Sequence, residues 1–157
     1  MAIPLDSVDI QLLAELQADA DRPNVELARL VGLSPTATMH RLRRLKSSGI
    51  VAGIAARLDP DAAGFPLRVF VQLTLGRHTE AAERRLLEVV AALPQVTQAD
   101  WVAGETDALL SVVARDLEEL QRVLVALSSR GGATRVVTLL RLREMKPPSP
   151  LPLAERS

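Results

Sequence analysis

Apolar residues recur at helical spacing in the first third of the chain, over residues 6–19, 24–31 and 35–48. This spacing places apolar side chains on one face and predicts three short amphipathic helices. Gly32 stands between the second and third stretches, where its tolerance of a left-handed conformation allows a tight turn. Three short helices with such a turn before the last are typical of a helix-turn-helix domain.

The spacing changes after the third helix, where apolar residues become continuous or alternate with polar ones. Residues 50–58 predict a short strand, or wing, and the turn-rich residues 59–65 predict a linker. The remaining pattern predicts a strand, a helix, two strands, a helix and a strand, over residues 67–74, 79–92, 96–103, 108–114, 116–130 and 134–142. This order is that of a ferredoxin-like sandwich, in which a sheet packs on two helices.

We therefore expect an α+β protein made of four segments. A winged helix-turn-helix domain spans residues 1–58, the linker spans 59–65, and a ferredoxin-like α/β sandwich spans 66–145. The proline-rich tail, residues 146–157, is expected to be mobile because proline disfavours helix and sheet alike. Alternatively, the tail is a motif that binds a partner.

One face of such a sheet packs on its helices, and the other face lacks a cover. Apolar residues on the predicted open face include Phe70, Trp101, Val113 and Leu139. Exposed apolar area of this extent favours a second sheet packed against it, so we predict a homodimer through this domain. Trp101 then lies either in the dimer core or in the wall of a ligand pocket.

A helical projection of the third helix separates a buried side from an exposed side. Thr38, Leu42 and Leu45 share the buried side. Hydrogen-bonding and basic side chains occupy the exposed side, namely Thr36, His40, Arg43, Arg44 and Ser47, while Met39 and Lys46 lie at one border and Arg41 lies at the other. No acid lies within this helix to pair with its arginines, which favours an external polyanion as the partner. The alternative is an ordinary solvated helix face.

Charge and composition narrow the classes of function. The 19 Lys and Arg residues balance the 19 Asp and Glu residues, so affinity for nucleic acid has to come from local charge asymmetry. Six basic residues and no acid lie between Leu27 and Leu58. The absence of cysteine excludes disulfides and thiol nucleophiles, and the lack of a signal peptide or a long apolar run predicts a cytoplasmic protein.

The sequence offers little material for an enzyme. It contains no glycine-rich nucleotide-binding motif, and its two histidines fall in different predicted domains. Asp100, Glu105 and Asp107 cluster near one turn, but no nucleophile or base accompanies them. We expect no catalytic residue, no bound metal and no cofactor.

Several motifs follow one another in the N-terminal half. Leu-Asp-x-x-Asp begins at Leu5, Leu-Ser at Leu33, Arg-x-x-Arg-Leu at Arg41 and Leu-Asp-Pro at Leu58. With these motifs and a later Gly-x-x-Asp turn, residues 5–144 resemble the Lrp/AsnC (feast/famine) family of transcriptional regulators. The resemblance implies a homodimer, which in the family often assembles into tetramers or octamers.

The third helix is then the recognition helix for double-stranded DNA. Its first residues are expected to approach base edges in the major groove, and its basic residues to reach phosphates. We predict DNA contacts from Ser34, Pro35, Thr36, Met39, His40, Arg43, Arg44 and Lys46.

The resemblance also implies a small effector, usually an amino acid, bound at the turn after the second strand of the sheet. The corresponding residues are Ala103, Gly104, Glu105, Thr106 and Asp107. The family often has threonine at the position of Ala103 and an aromatic residue at that of Thr106. A tight turn in which Asp107 binds local N–H groups is the alternative for this segment. An effector-independent architectural DNA-binding protein of the same fold is the alternative for the function.

Overall fold

The chain forms two compact units in the computed structural model, which describes residues 3–76 and 78–154. The helical unit runs up to Ala56 and includes the chain from Lys146 onward, and the sheet unit spans Arg57–Met145. The sequence predicts a boundary after residue 58 and a separate tail. Residue 1, where the predicted DNA-binding domain begins, and residue 157, where the predicted tail ends, lie outside the described residues.

The helical unit contains the three predicted helices, α1 (Ser7–Ala18), α2 (Asn24–Leu30) and α3 (Pro35–Ser47). Asp6 caps α1, because its side chain accepts from the Asp9 N–H at 2.8 Å while the Asp9 side chain accepts from the Asp6 N–H at 3.2 Å. The helices enclose an apolar core that consists of Leu12, Leu13, Leu27, Val31 and Leu45.

The segment between α3 and the sheet differs from its prediction. Residues 50–58 form no strand, and Leu58 is exposed. A strand needs a partner for its backbone hydrogen bonds, and the described part of the helical unit contains none. The predicted linker is an ordered turn, in which Asp59 Oδ1 accepts from the Asp61 N–H at 2.8 Å and the Phe65 N–H donates to the Pro60 carbonyl at 2.7 Å.

The sheet unit has the predicted order of strands and helices. Its antiparallel strands, in the spatial order β2-β3-β1-β4, are β1 (Leu67–Leu75), β2 (Val96–Trp101), β3 (Ala108–Ala114) and β4 (Ala133–Leu140). The helices are α4 (Glu80–Ala91) and α5 (Leu117–Val125), and α5 continues as a π-helical turn over Ala126–Arg130. The ferredoxin-like α/β sandwich is therefore confirmed.

The alternating pattern of β1 produces the two faces of the sheet. Val69, Val71 and Leu73 are buried in the core with the helices, as predicted. The opposite, open face carries Phe70, paired with Leu139 of β4, and both side chains are exposed. Leu109, Val113 and Val137 extend this apolar area as partly exposed neighbours.

Trp101 does not lie on the open face, so its predicted position is wrong. It pairs with Ala108, a buried residue of the helix-packed face. A register shift between Val96 and Gln98 is the physical cause, because one extra residue in a strand moves every later side chain to the other face. Trp101 is 47% exposed at the edge strand beside α4.

Candidate nucleic-acid interface and effector turn

α3 begins at a capped turn that presents its first residues to solvent. Ser34 Oγ accepts from the Ala37 N–H at 3.2 Å. Pro35 occupies the first helical position, where a missing backbone donor costs nothing. Gly32 has a φ of 68°, the left-handed conformation that a tight turn between α2 and α3 requires.

The two sides of α3 are those that the projection predicts. Thr38 and Leu45 are buried, and Leu42 packs against the same apolar core. The residues predicted to contact DNA are all exposed, namely Ser34, Pro35, Thr36, Met39, His40, Arg43, Arg44 and Lys46. The helix therefore packs through one side and leaves a continuous polar and basic surface on the other.

The prediction that the α3 arginines lack acidic partners is wrong for Arg41 and Arg44, because α1 supplies the acids. Asp9 is only 1% exposed. Arg41 Nη1 donates to Asp9 Oδ1 at 2.9 Å and to Asp6 Oδ2 at 2.7 Å. Arg44 Nη2 donates to Asp9 Oδ2. Two motifs in the sequence could have indicated these ion pairs, namely Leu-Asp-x-x-Asp and Arg-x-x-Arg. The first places two acids on one face of a helix, and the second places two arginines on one face of another.

The contact between Asp6 and Arg41 favours the charged form of both side chains. The pKa of Asp6 is lowered, mainly by the hydrogen bond from the Asp9 N–H and then by the Arg41 guanidinium. The pKa of Arg41 is raised by its hydrogen bonds to Asp6 and then to Asp9. Arg41 thus joins α1 to α3.

Arg43, Arg44 and Lys46 differ in whether an acid of the protein already pairs with them. Arg43 and Lys46 form no salt bridge with any acid of the described chain. The side chain of Arg44 is 49% exposed although it pairs with Asp9. The surface charge available to a polyanion therefore comes chiefly from Arg43 and Lys46.

The predicted effector turn combines exposed backbone with two side chains that hold β1. Ala103, Gly104 and Glu105 are exposed. Gly104 has a φ of 146°, and a Cβ added there would meet no atom within 4 Å. The turn therefore leaves open space beside its backbone, where a ligand can approach closely.

Thr106 and Asp107 are used by the fold itself. Thr106 Oγ1 donates to the Leu73 carbonyl at 2.7 Å, and Asp107 Oδ2 accepts from the Leu75 N–H at 2.7 Å. These bonds hold β1 where its pairing with β4 shifts register, between Thr74 and Leu75. The alternative interpretation, in which Asp107 binds local N–H groups, does not fit this geometry, because the N–H that its carboxylate binds belongs to Leu75, on a different strand.

A small pocket lies between α4 and β2, and Trp101 is part of its wall, which agrees in position with the second alternative for this residue. Its volume is about 70 Å³, and its lining includes Leu87, Val90 and Trp101.

In the described residues, no three His, Cys, Asp or Glu side chains are grouped to hold a metal ion. None of the described helices is both long and apolar enough to cross a membrane.

Comparison with known proteins assigns both units to families. Residues 5–46 match the AsnC-type helix-turn-helix domain, and residues 68–151 match the Lrp/AsnC ligand binding domain. The chain is 34% identical over 145 residues to a leucine-responsive regulatory protein of Rhizobium meliloti, covering 92% of this chain and 93% of that protein. It is 33% identical over 153 residues to a glutamate uptake regulatory protein of Zymomonas mobilis subsp. mobilis, covering 98% and 93%.

Solved structures agree with these sequence relatives. A transcriptional regulator from Neisseria meningitidis, crystallised as an L-Met complex, superposes with a TM-score of 0.88 at 33% identity, covering 94% of this chain and 96% of that one. An AsnC family transcriptional regulator from Agrobacterium tumefaciens gives a TM-score of 0.86 at 27% identity, covering 94% and 97%. This chain therefore belongs to the Lrp/AsnC family of transcriptional regulators, with an AsnC-type helix-turn-helix domain and an Lrp/AsnC ligand binding domain.

Proposed function

We propose that this regulator docks the exposed side of α3 in the major groove of its operator, and that an amino acid bound at the sheet unit modulates this binding. The observation that carries the proposal is the uninterrupted exposed surface from Ser34 to Lys46, on a helix whose other side is buried. A helix with short polar residues at its start and cations further along fits the groove.

The residues of α3 have different roles in this proposal. Ser34, Pro35, Thr36 and His40 lie nearest to base edges, because they are on the exposed side and all but His40 are short. Met39 borders them and offers an apolar contact. Arg43 and Lys46 bind phosphates, since no acid of the described chain neutralises them. Arg44 contributes less, because Asp9 already shares its charge.

The regulator acts as a homodimer formed through the open face of the sheet. The exposed pair Phe70 and Leu139, with its partly exposed apolar neighbours, supports this proposal. A second sheet of the same kind would cover the patch and remove it from water. Two copies would then present two α3 helices to two half-sites of an operator.

The effector is an amino acid whose carboxylate is held by exposed backbone N–H groups of Ala103, Gly104 and Glu105. The L-Met complex of the Neisseria regulator supports an amino acid, and the open space beside Gly104 supports close approach. We assign Thr106 and Asp107 to shaping the turn, since their polar atoms bond β1. The match to a ligand binding domain favours this function over an effector-independent architectural role.

The DNA proposal is tested by titrating the purified protein with duplexes from its own promoter region at several salt concentrations. Replacing Arg43 or Lys46 by alanine should weaken binding and reduce the slope of log affinity against log salt by about 1, because one phosphate contact is lost. Arg84→Ala removes an exposed charge from the sheet unit and is the matched control. An unchanged slope in both α3 variants would exclude the phosphate role.

The effector proposal is tested by thermal shift against the twenty amino acids, with methionine as the first candidate. A ligand of the native state should raise the melting temperature with concentration. Gly104→Ala should abolish the rise, because its methyl group enters the space that the effector needs. Gly132→Ala is the matched control, since Gly132 also has a positive φ and open space around it. If no amino acid shifts the melting temperature, the effector-independent role is favoured instead.

A further inference from the structure

We infer that the helical unit carries a docking site for an extended, proline-rich segment, and that the chain's own residues 148–153 occupy it. This stretch was expected to be mobile. Instead, Gln17 near the end of α1 contacts the backbone of Leu151 twice, because Gln17 Oε1 accepts from the Leu151 N–H at 2.6 Å and Gln17 Nε2 donates to the Leu151 carbonyl at 3.3 Å.

This paired contact recognises backbone rather than a side chain. A carboxamide offers one acceptor and two donors, so it can satisfy both the N–H and the carbonyl of one residue in an extended segment. Leu151 lies between Pro150 and Pro152, which have no N–H of their own. The proline-rich segment is also partly ordered before it docks, which lowers the conformational entropy that docking costs.

Leu153 provides the apolar part of the contact. It is partly buried and packs against the core of the helical unit, which includes Leu12, Leu13 and Leu45. The side chain of Leu151 is 71% exposed, so only its backbone takes part. Leu151 is thus held through its backbone and Leu153 through its side chain. Peptide recognition often has this form, because backbone hydrogen bonds fix the direction of the bound peptide while alternate side chains enter an apolar surface.

The docked tail has a consequence for connectivity. The chain leaves the helical unit after Ala56 and returns to it at Lys146, only a few residues after β4 ends at Leu140. The sheet unit is therefore joined to the DNA-binding unit by two stretches of chain instead of one. The tail forms a second tether, through which a displacement at the end of β4 is transmitted to α1. The regulatory use of this tether rests on the proposed function, whereas the docking itself does not.

Hydrogen–deuterium exchange of the α1 amides tests the docking in the full-length protein without DNA. Leu153→Ala should accelerate exchange across Ser7–Ala18 by about tenfold, because the helix loses part of its packing. Gln17→Ala should act in the same direction. Leu151→Ala is the matched control and should leave exchange unchanged, since that side chain is exposed.

A chain that ends at Met145 provides the second measurement. Its α1 should exchange faster, and adding the peptide KPPSPLPLAERS should restore protection. The inference is overturned if Leu153→Ala leaves exchange unchanged, or if Leu151→Ala accelerates it as much as Leu153→Ala. Protection of α1 that falls when the full-length protein is diluted would show that the tail comes from a second copy, and would overturn the tether within one chain.

Discussion

Asp9 and Glu119 are the buried acids of the described chain, one in each unit, and arginines pair with both. Glu119 pairs with an arginine only four residues before it in the chain. Its carboxylate accepts from the Arg115 backbone N–H at 2.7 Å and from the Arg115 guanidinium at 2.8 Å. Gln95 adds a third contact at 2.9 Å. Asp9 instead binds two arginines of another helix, which lie 32 and 35 residues further along the chain.

A buried acid influences a binding surface only when its partners lie on that surface. Glu119 secures the start of α5 beside β3, so its effect stays within the sheet unit. Asp9 determines where Arg41 and Arg44 lie, and thereby which cations of α3 are left for a polyanion. A buried ion pair adds little net stability on its own, because taking the charges out of water costs about as much as their attraction returns.

The largest effect is expected for Asp9→Ala. It removes two charged hydrogen bonds at once, although Arg41 keeps its bond to Asp6, and each charged hydrogen bond is worth about 1.5–3 kcal/mol of unfolding free energy. Asp6→Ala is the matched control, because Asp6 is more exposed and its loss as a helix cap costs about 1 kcal/mol. Circular dichroism during chemical denaturation measures the loss of helix. Fluorescence of Trp101, the only tryptophan, reports on the sheet unit and should keep its transition midpoint.

An intermediate effect is expected for Arg44→Ala. Asp9 keeps Arg41 but loses one charged hydrogen bond, which costs about 1–3 kcal/mol of unfolding free energy. Its salt slope in DNA binding should change less than that of Arg43→Ala, because Asp9 already offsets part of the Arg44 charge. Equal slope changes in the two variants would contradict the division of α3 cations into paired and free ones.

The smallest effect at neutral pH is expected for Glu119→Gln, and it should appear as a change in pH dependence. The Arg115 guanidinium, the Arg115 backbone N–H and Gln95 lower the pKa of Glu119 from 4.5 to about 2. Because the folded state holds the proton less tightly than the unfolded state, Glu119 stabilises the protein above pH 4.5. This stabilisation is lost as the pH falls towards about 2.

Unfolding followed by Trp101 fluorescence between pH 2 and pH 6 measures this loss. Glu119→Gln should flatten the fall in stability across the interval, since glutamine does not titrate. Glu118→Gln is the matched control, because the Glu118 side chain is 88% exposed. A wild-type curve that is already flat between pH 4.5 and 2 would contradict the lowered pKa of Glu119.

Local patterns in the sequence determined the helices, the strands and the side of α3 that is buried. Asp6 and Ser34 cap helices because a cap needs only a residue a few positions away, and Val69, Val71 and Leu73 share a face because a strand repeats every two residues. The family resemblance rested on motifs in order along the chain, which also requires no knowledge of distant contacts.

Features that depend on partners far along the chain follow from tertiary packing and could not be predicted from local patterns. Asp9 meets Arg41 and Arg44 because α1 packs against α3, and Asp107 bonds β1 because β3 lies beside it. A register shift in β2 turned Trp101 towards α4. Periodicity assigns a residue to a face, but it does not say which residue of another element lies opposite, since that distance is fixed only when the elements pack.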